Sequence, residues 1–180
     1  MTPASADDLA AVGAQLGRPA RSVVEVAHRC PCGQPDVVAT APRLQDGTPF
    51  PTTFYLTCPR AASAVGSCES TGLMRRMADR LAADPDLAAG HRAAHADYLS
   101  RRSAVARAAG LDQVPEIDGI SAGGMPDRVK CLHVLLAHAL AAGPGVNPLG
   151  DEVLAEVEGW WRSGSCAQQT LAPQAGPRQP

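Results

Sequence analysis

Three consecutive runs, SVVEVAH (22–28), DVVATAP (36–42) and TTFYLT (52–57), are dense in β-branched and aromatic residues. They are separated by CPCGQP and RLQDGTPFP, segments made of turn formers. Runs of this length and makeup, bounded this way, predict strands. Together they predict a small, mostly antiparallel three-stranded sheet near the N-terminus. Asp46-Gly47 marks a turn between the second and third strands, in a loop longer than a two-residue hairpin. Ahead of the sheet, residues 4–16 read as a short helix. Ser5 is placed to cap it, Asp7 and Asp8 lie in its first turn, and Leu9, Val12 and Leu16 recur at helical spacing.

After Pro59 the period changes to that of helices. One runs from about 61 to 82 with Leu73, Met77 and Leu81 on one face, broken near Gly66 or Gly72. Asp84-Pro85 opens a second, carried by Leu87, His91, Ala94, Tyr98 and Val105 and stopped by Gly110. After a loop over 110–124, Met125-Pro126 is expected to begin a third main helix that Gly143 ends. Asn147-Pro148 then supplies a cap and a first helical position for a last helix reaching about Arg162. The fold class is therefore α+β, a three-stranded sheet packed with four to five helices. It forms one domain over 1–163, followed by a disordered tail over 164–180.

A chain of 180 residues can bury a stable core without disulfide or metal staples. At 45% hydrophobic, 19% charged and only 3% aromatic, that core must be built mainly from Ala, Leu and Val. A net charge of −2 argues against broad nucleic-acid binding. No window approaches the roughly 20 apolar residues of a membrane span, and the acidic start lacks the features of a secretory signal. A cytoplasmic protein is expected, with its six cysteines as thiols rather than disulfides. Neither nucleic acid nor membrane is an expected partner, and a small-molecule substrate is.

Four of those cysteines have cationic neighbours. Cys30 follows His28-Arg29 with Cys32 two residues on, Cys58 precedes Pro59-Arg60, and Cys131 follows Arg128 and Lys130. Nearby positive charge favours the thiolate, the form that binds metals and attacks electrophiles. The strong zinc signature of two C-x₂-C pairs is absent, so these ligands can meet only through the fold. The plainer reading is that several are small buried hydrophobes. Cys68, in a Ser/Gly-rich stretch, and Cys166, in the tail, read as incidental.

Lys130 is the single lysine of the chain. On a helix, at about 100° per residue, Asp127, Cys131, Val134 and His138 share one arc with Lys130 at its edge, opposite Val129, Leu132, Leu135 and Leu136. A lysine can lose its proton on burial and act as donor or nucleophile, which arginine cannot; the alternative is an ordinary solvated helix lysine. His133 lies on the border, and its i, i+5 spacing to His138 is not that of a zincin pair. Arg128, at a glycine-flanked helix start, and Arg60 are the candidate cofactor-contacting cations.

HRCPCGQPDVVATAP (28–42), FPTTFYLTCP (50–59), SAGGMPDRVKCLHVLLAHALAAGPGVNPLG (121–150) and DLAAVGAQLGRP (8–19) resemble the bacterial domain of unknown function 501 family. The resemblance covers most of residues 8–158 and implies an actinobacterial type of source. It also implies a role for the cysteines of its HRC, LTCP and VKCLH segments: Cys30, Cys58 and Cys131 as ligands, with Cys32 or His133 as the fourth. Such a set suits a catalytic zinc or an iron–sulfur cluster with one free iron. The leading expectation is a metal-dependent enzyme acting on a small molecule, with Lys130, Asp127 and His138 lining the pocket and Asp127 or His138 as base. The alternatives are a metal-free thiol protein using Cys131 or the Cys30/Cys32 pair, and a non-enzymatic adaptor linked to cell division or the envelope, as the gene neighbourhood of the resembled family implies.

Overall fold

In the computed structural model, which describes residues 1–166, all six residues of strand β3 (Pro35–Thr40) are buried. A strand hidden on both faces needs cover on both, and the rest of the fold supplies it. The sheet has the order β1 (Thr2–Pro3), β2 (Val23–Arg29), β3, β4 (Phe54–Leu56), every neighbour antiparallel. Register pairs Val37 with Leu56 and Ala39 with Phe54. This face meets the helices in the main core, with Leu132, Leu135 and Leu136. The opposite face carries Val26 paired with Val38, and lies beneath helix α1 (Ala6–Leu16), whose Val12 is also buried. Burying each such side chain contributes about 1.5–3 kcal/mol.

The chain is α+β, as its pattern predicts, with two differences in detail. The sheet has four strands rather than three, because Thr2–Pro3 pairs with Val26 and Glu25; a two-residue strand is too short to show a period. Six α-helices are described rather than four or five: α1, α2 (Pro59–Ser70), α3 (Leu73–Ala83), α4 (Pro85–Ala108), α5 (Leu132–Ala142) and α6 (Pro148–Glu156). The expected helix over 61–82 breaks at Gly72, whose φ of 78° no other residue type adopts readily. The last helix stops at Glu156, short of Arg162, and a 3-10 turn over Trp160–Ser163 follows. Of the expected tail, residues 167–180 lie outside the described residues. No helix among the described residues is long and apolar enough to cross a membrane.

The largest departure concerns α5. It begins at Leu132, not at Met125-Pro126, because residues 123–127 form turns. Gly123 and Gly124 have φ of 73° and 98°, and the Lys130 N–H returns to the Gly123 carbonyl at 2.8 Å. The helix is started from elsewhere in the chain: the Leu132 N–H donates to Glu69 Oε1, at the end of α2, at 3.0 Å.

Two close fits hold the outer layers. Ser5 and Asp8 form a reciprocal capping box at the start of α1, and both Asp8 oxygens accept from Arg29 at 2.8 and 3.0 Å, tying α1 to β2. On the other side, α5 and α6 cross where Gly150 sits. A Cβ there would run into the Leu135 carbonyl oxygen and lie 2.8 Å from the Ala139 Cβ.

Gly150→Ala should therefore lower stability by about 1–3 kcal/mol, read as a lower urea midpoint at unchanged m-value. The Arg29 guanidinium holds the Asp8 carboxyl down at about 2 against its ordinary 3.8. That contribution is complete above the ordinary value and is lost as pH falls toward the folded one. Asp8→Asn should cost about 1 kcal/mol near neutrality, and the gap between variant and parent should close between about pH 4 and pH 2 in acid titrations followed by circular dichroism.

Candidate metal centre

The turn from β2 to β3 is Cys30-Pro31-Cys32-Gly33-Gln34. It is closed by Gly33 N–H to the Cys30 carbonyl at 2.8 Å and Cys30 N–H to the Gln34 carbonyl at 2.9 Å. Gly33, at φ 86°, lets the chain double back so that Cys30 and Cys32 point to one side. There they meet Cys166: one ligand atom from each of the three lies within 4.8 Å of the others, and the Cys32 and Cys166 sulfurs are 3.2 Å apart. Cys58, the residue that caps α2, stands beside this group of three and interacts with Cys166. Cys30, Cys58 and Cys166 are 2%, 0% and 1% exposed.

Backbone N–H groups converge on these sulfurs. Cys30 accepts from Cys32, Cys32 from Cys166 and Gln34, and Cys58 from Ala61 and Arg60 in the first turn of α2. Such donors favour the thiolate, while burial favours the neutral thiol. Burial wins at Cys30, pushed up to about 11, and it raises Cys58 and Cys166 too. At Cys32 burial also acts upward, but the N–H groups of Cys166 and Gln34 and the neighbouring thiols outweigh it and hold the group down at about 7. Beside them stands Asp36, fully buried, with Oδ1 2.8 Å from His28 Nδ1 and no hydrogen-bond partner for Oδ2. Its charge reaches both Cys30 and Cys58. Crowded sulfurs ringed by N–H donors, with a buried carboxylate behind them, fit a cation.

Cys131 stands elsewhere. It caps α5, and its group is Glu69 and His133, again with ligand atoms within 4.8 Å of one another. The expected meeting of Cys30, Cys58 and Cys131 is thus divided between two clusters, and Cys32 and His133 fall one in each. The reason is the late start of α5, which turns Cys131 toward the end of α2.

Asp127, Lys130 and His138 do not share the pocket expected of them. Asp127 is exposed in the turn before α5 and acts electrostatically on His91 and His95. Lys130 is exposed as well, its stem passing over Gly124, where a Cβ would lie 3.0 Å from Lys130 Cγ. His138 is fully buried between Phe54 and Tyr98, with ring centroids at 5.7 and 5.2 Å. Its Nε2 is 2.9 Å from Asp97 and its Nδ1 3.3 Å from the Asn147 amide, so each nitrogen has a structural partner. Arg128 is exposed, and its carbonyl is 3.2 Å from His91 Nε2. Arg60 is half-buried beside Cys58.

Two residues of these clusters escape a reading of the sequence, Cys166 and Glu69. Trp160-Trp161 was the available signal for the first, since such a pair must pack and so draws the following segment back to the core. Trp160 is 8% exposed. Glu69 offers no local signal, because its partners lie more than 60 residues away.

Comparison with known proteins adds the family and no activity. No curated protein and no solved structure matches the chain. The family described as protein of unknown function (DUF501) matches residues 26–155, a span that contains Cys30, Cys32, Cys58 and the whole Glu69/Cys131/His133 group and stops before Cys166. By that match over more than half its length, the chain belongs to the DUF501 family.

Proposed function

We propose that this protein is a zinc protein in which Cys30, Cys32, Cys58 and Cys166 together hold one ion at a closed, structural site. The carrying observation is the convergence of Cys30, Cys32 and Cys166 within 4.8 Å, from a hairpin and from a segment more than 130 residues later. A zinc–sulfur bond of about 2.3 Å in a tetrahedron separates the sulfurs by about 3.8 Å. The 3.2 Å of Cys32–Cys166 and the 4.8 Å limit of the group bracket that spacing. An iron–sulfur cluster interposes iron and sulfide between its thiolates and requires a wider cage.

Four protein sulfurs leave no position for substrate, which is the mark of a structural rather than a catalytic zinc. The N–H groups on Cys30, Cys32 and Cys58 would fix the ligands in orientation. The ion would supply the positive charge that lets buried thiols ionise together, and its function is to lock the sheet, the start of α2 and the segment after Trp161 into one body.

Cys166→Ser and Cys32→Ser should each carry one equivalent of zinc fewer than the parent chain by elemental analysis. A strong chelator should lower the melting temperature of the parent by the equivalent of several kcal/mol and leave these variants little changed. An unaltered zinc content in both variants would refute the site, and a brown chromophore with iron in place of zinc would refute the choice of metal.

A further inference from the structure

We infer that Glu69, Cys131 and His133 form a second metal site, independent of the four-cysteine one, that holds a zinc-type divalent ion on three ligands and opens its fourth position to a neutral small molecule. The geometry is that of a ligand set. Glu69 Oε1 and His133 Nδ1 are 3.3 Å apart, against about 3.3 Å for two ligands at zinc–nitrogen and zinc–oxygen bond lengths of about 2.0–2.1 Å. Cys131 completes the set within 4.8 Å. One thiolate, one imidazole and one carboxylate match the mixed donors of zinc sites that keep an open position.

Each ligand has an outer partner of the kind that orients metal ligands. Glu69 Oε1 accepts the Leu132 N–H at 3.0 Å. His133 Nε2 lies 3.2 Å from the Ala62 carbonyl, an acceptor only. That nitrogen donates there, and Nδ1 is the ring nitrogen turned to Glu69 and Cys131, where a bound ion would take the place of any proton it carries. The Cys131 sulfur accepts from the N–H groups of Val134 and His133 at the start of α5. Charge agrees as well, because a thiolate and a carboxylate balance a divalent cation, so the loaded site is neutral in a half-buried setting.

Cys131 and His133 line a cavity of about 450 Å³ bounded by α1, β4 and α2. Its walls are largely apolar, among them Leu16, Tyr55, Pro59 and Val134, and no Lys, Arg, Asp or Glu lines it. Anionic substrates such as phosphates or carboxylates find no counter-charge there. An uncharged molecule with one oxygen or nitrogen donor for the ion, and an apolar remainder for the walls, fits both halves of the cavity.

The chain of 180 residues, equilibrated with excess zinc and freed of unbound metal, should carry two equivalents by elemental analysis. Cys131→Ser and His133→Ala should each carry one, while Cys32→Ser keeps the equivalent that Cys131→Ser loses. Glu69→Gln keeps the oxygen that accepts from Leu132 and should fold normally, yet bind the second ion at least about tenfold more weakly in competition with a chromogenic chelator. With cobalt in place of zinc, imidazole as a neutral donor should shift the visible spectrum of the parent and not that of Cys131→Ser. A parent with one equivalent that Cys32→Ser removes and Cys131→Ser does not would overturn this inference and leave the four-cysteine reading standing; the reverse pattern would do the opposite. Unchanged affinity in Glu69→Gln, or a cobalt spectrum indifferent to imidazole, would overturn it as well.

Discussion

Sulfur buried away from water resists ionising, and that constraint shapes one end of this molecule. Cys30, Cys58 and Cys166 are almost wholly enclosed, and burial presses each toward the neutral thiol. Against it the backbone aims N–H groups from the Cys30–Gln34 turn, from the first turn of α2 and from Cys166 itself. The balance leaves one low-pKa sulfur, Cys32, among higher ones. Local chain geometry aims these donors at the sulfurs, while the buried Asp36 close by presses Cys30 and Cys58 further toward the neutral thiol.

Helix α2 links this end of the protein to the next. Its cap is Cys58; four residues on, the Ala62 carbonyl faces His133; and near its end Glu69 takes the first free N–H of α5. A single helix thus contributes to both cysteine clusters and decides where α5 starts. Because α5 packs on β4, and β3 between β4 and β2 is covered on both faces, any shift of α2 is resisted by the whole sheet. Cys58 caps α2, Glu69 belongs to it and His133 to the first turn of α5, whereas Cys30, Cys32 and Cys166 come from turns.

Much of this could be read in advance where the determinants were local. The β-branched runs form β2, β3 and β4, and Ser5, Asp84 and Asn147 cap the helices their positions suggest. Cys30, Cys32 and Cys58 stood out as cysteines beside cations; the first two belong to one group, and Cys58 stands next to it. What escaped was set by distant partners. The periodicity of 125–143 fits a continuous helix, but Glu69 captures Leu132 and the preceding residues turn, so the arc that seemed to gather Asp127, Lys130, Cys131 and His138 does not exist. Cys166 sits in a stretch of Ser, Gly and Gln without apolar period. It is buried because Gln15, from α1, and Cys32 receive it at 3.5 and 3.2 Å. Lys130, so conspicuous in composition, lies at the surface.

The spread of these cysteines along the chain also gives the protein a calendar. Cys30, Cys32 and Cys58 leave the ribosome early, while Cys166 is translated more than one hundred residues after Cys58, a wait of roughly 5–20 s at ordinary elongation rates. For that interval the nascent sheet presents three sulfurs without their fourth, exposed to whatever oxidants and soft cations the surroundings hold. Any site that needs Cys166 therefore waits for a residue made long after the sheet, and the turn that carries Cys30 and Cys32 must first form without it.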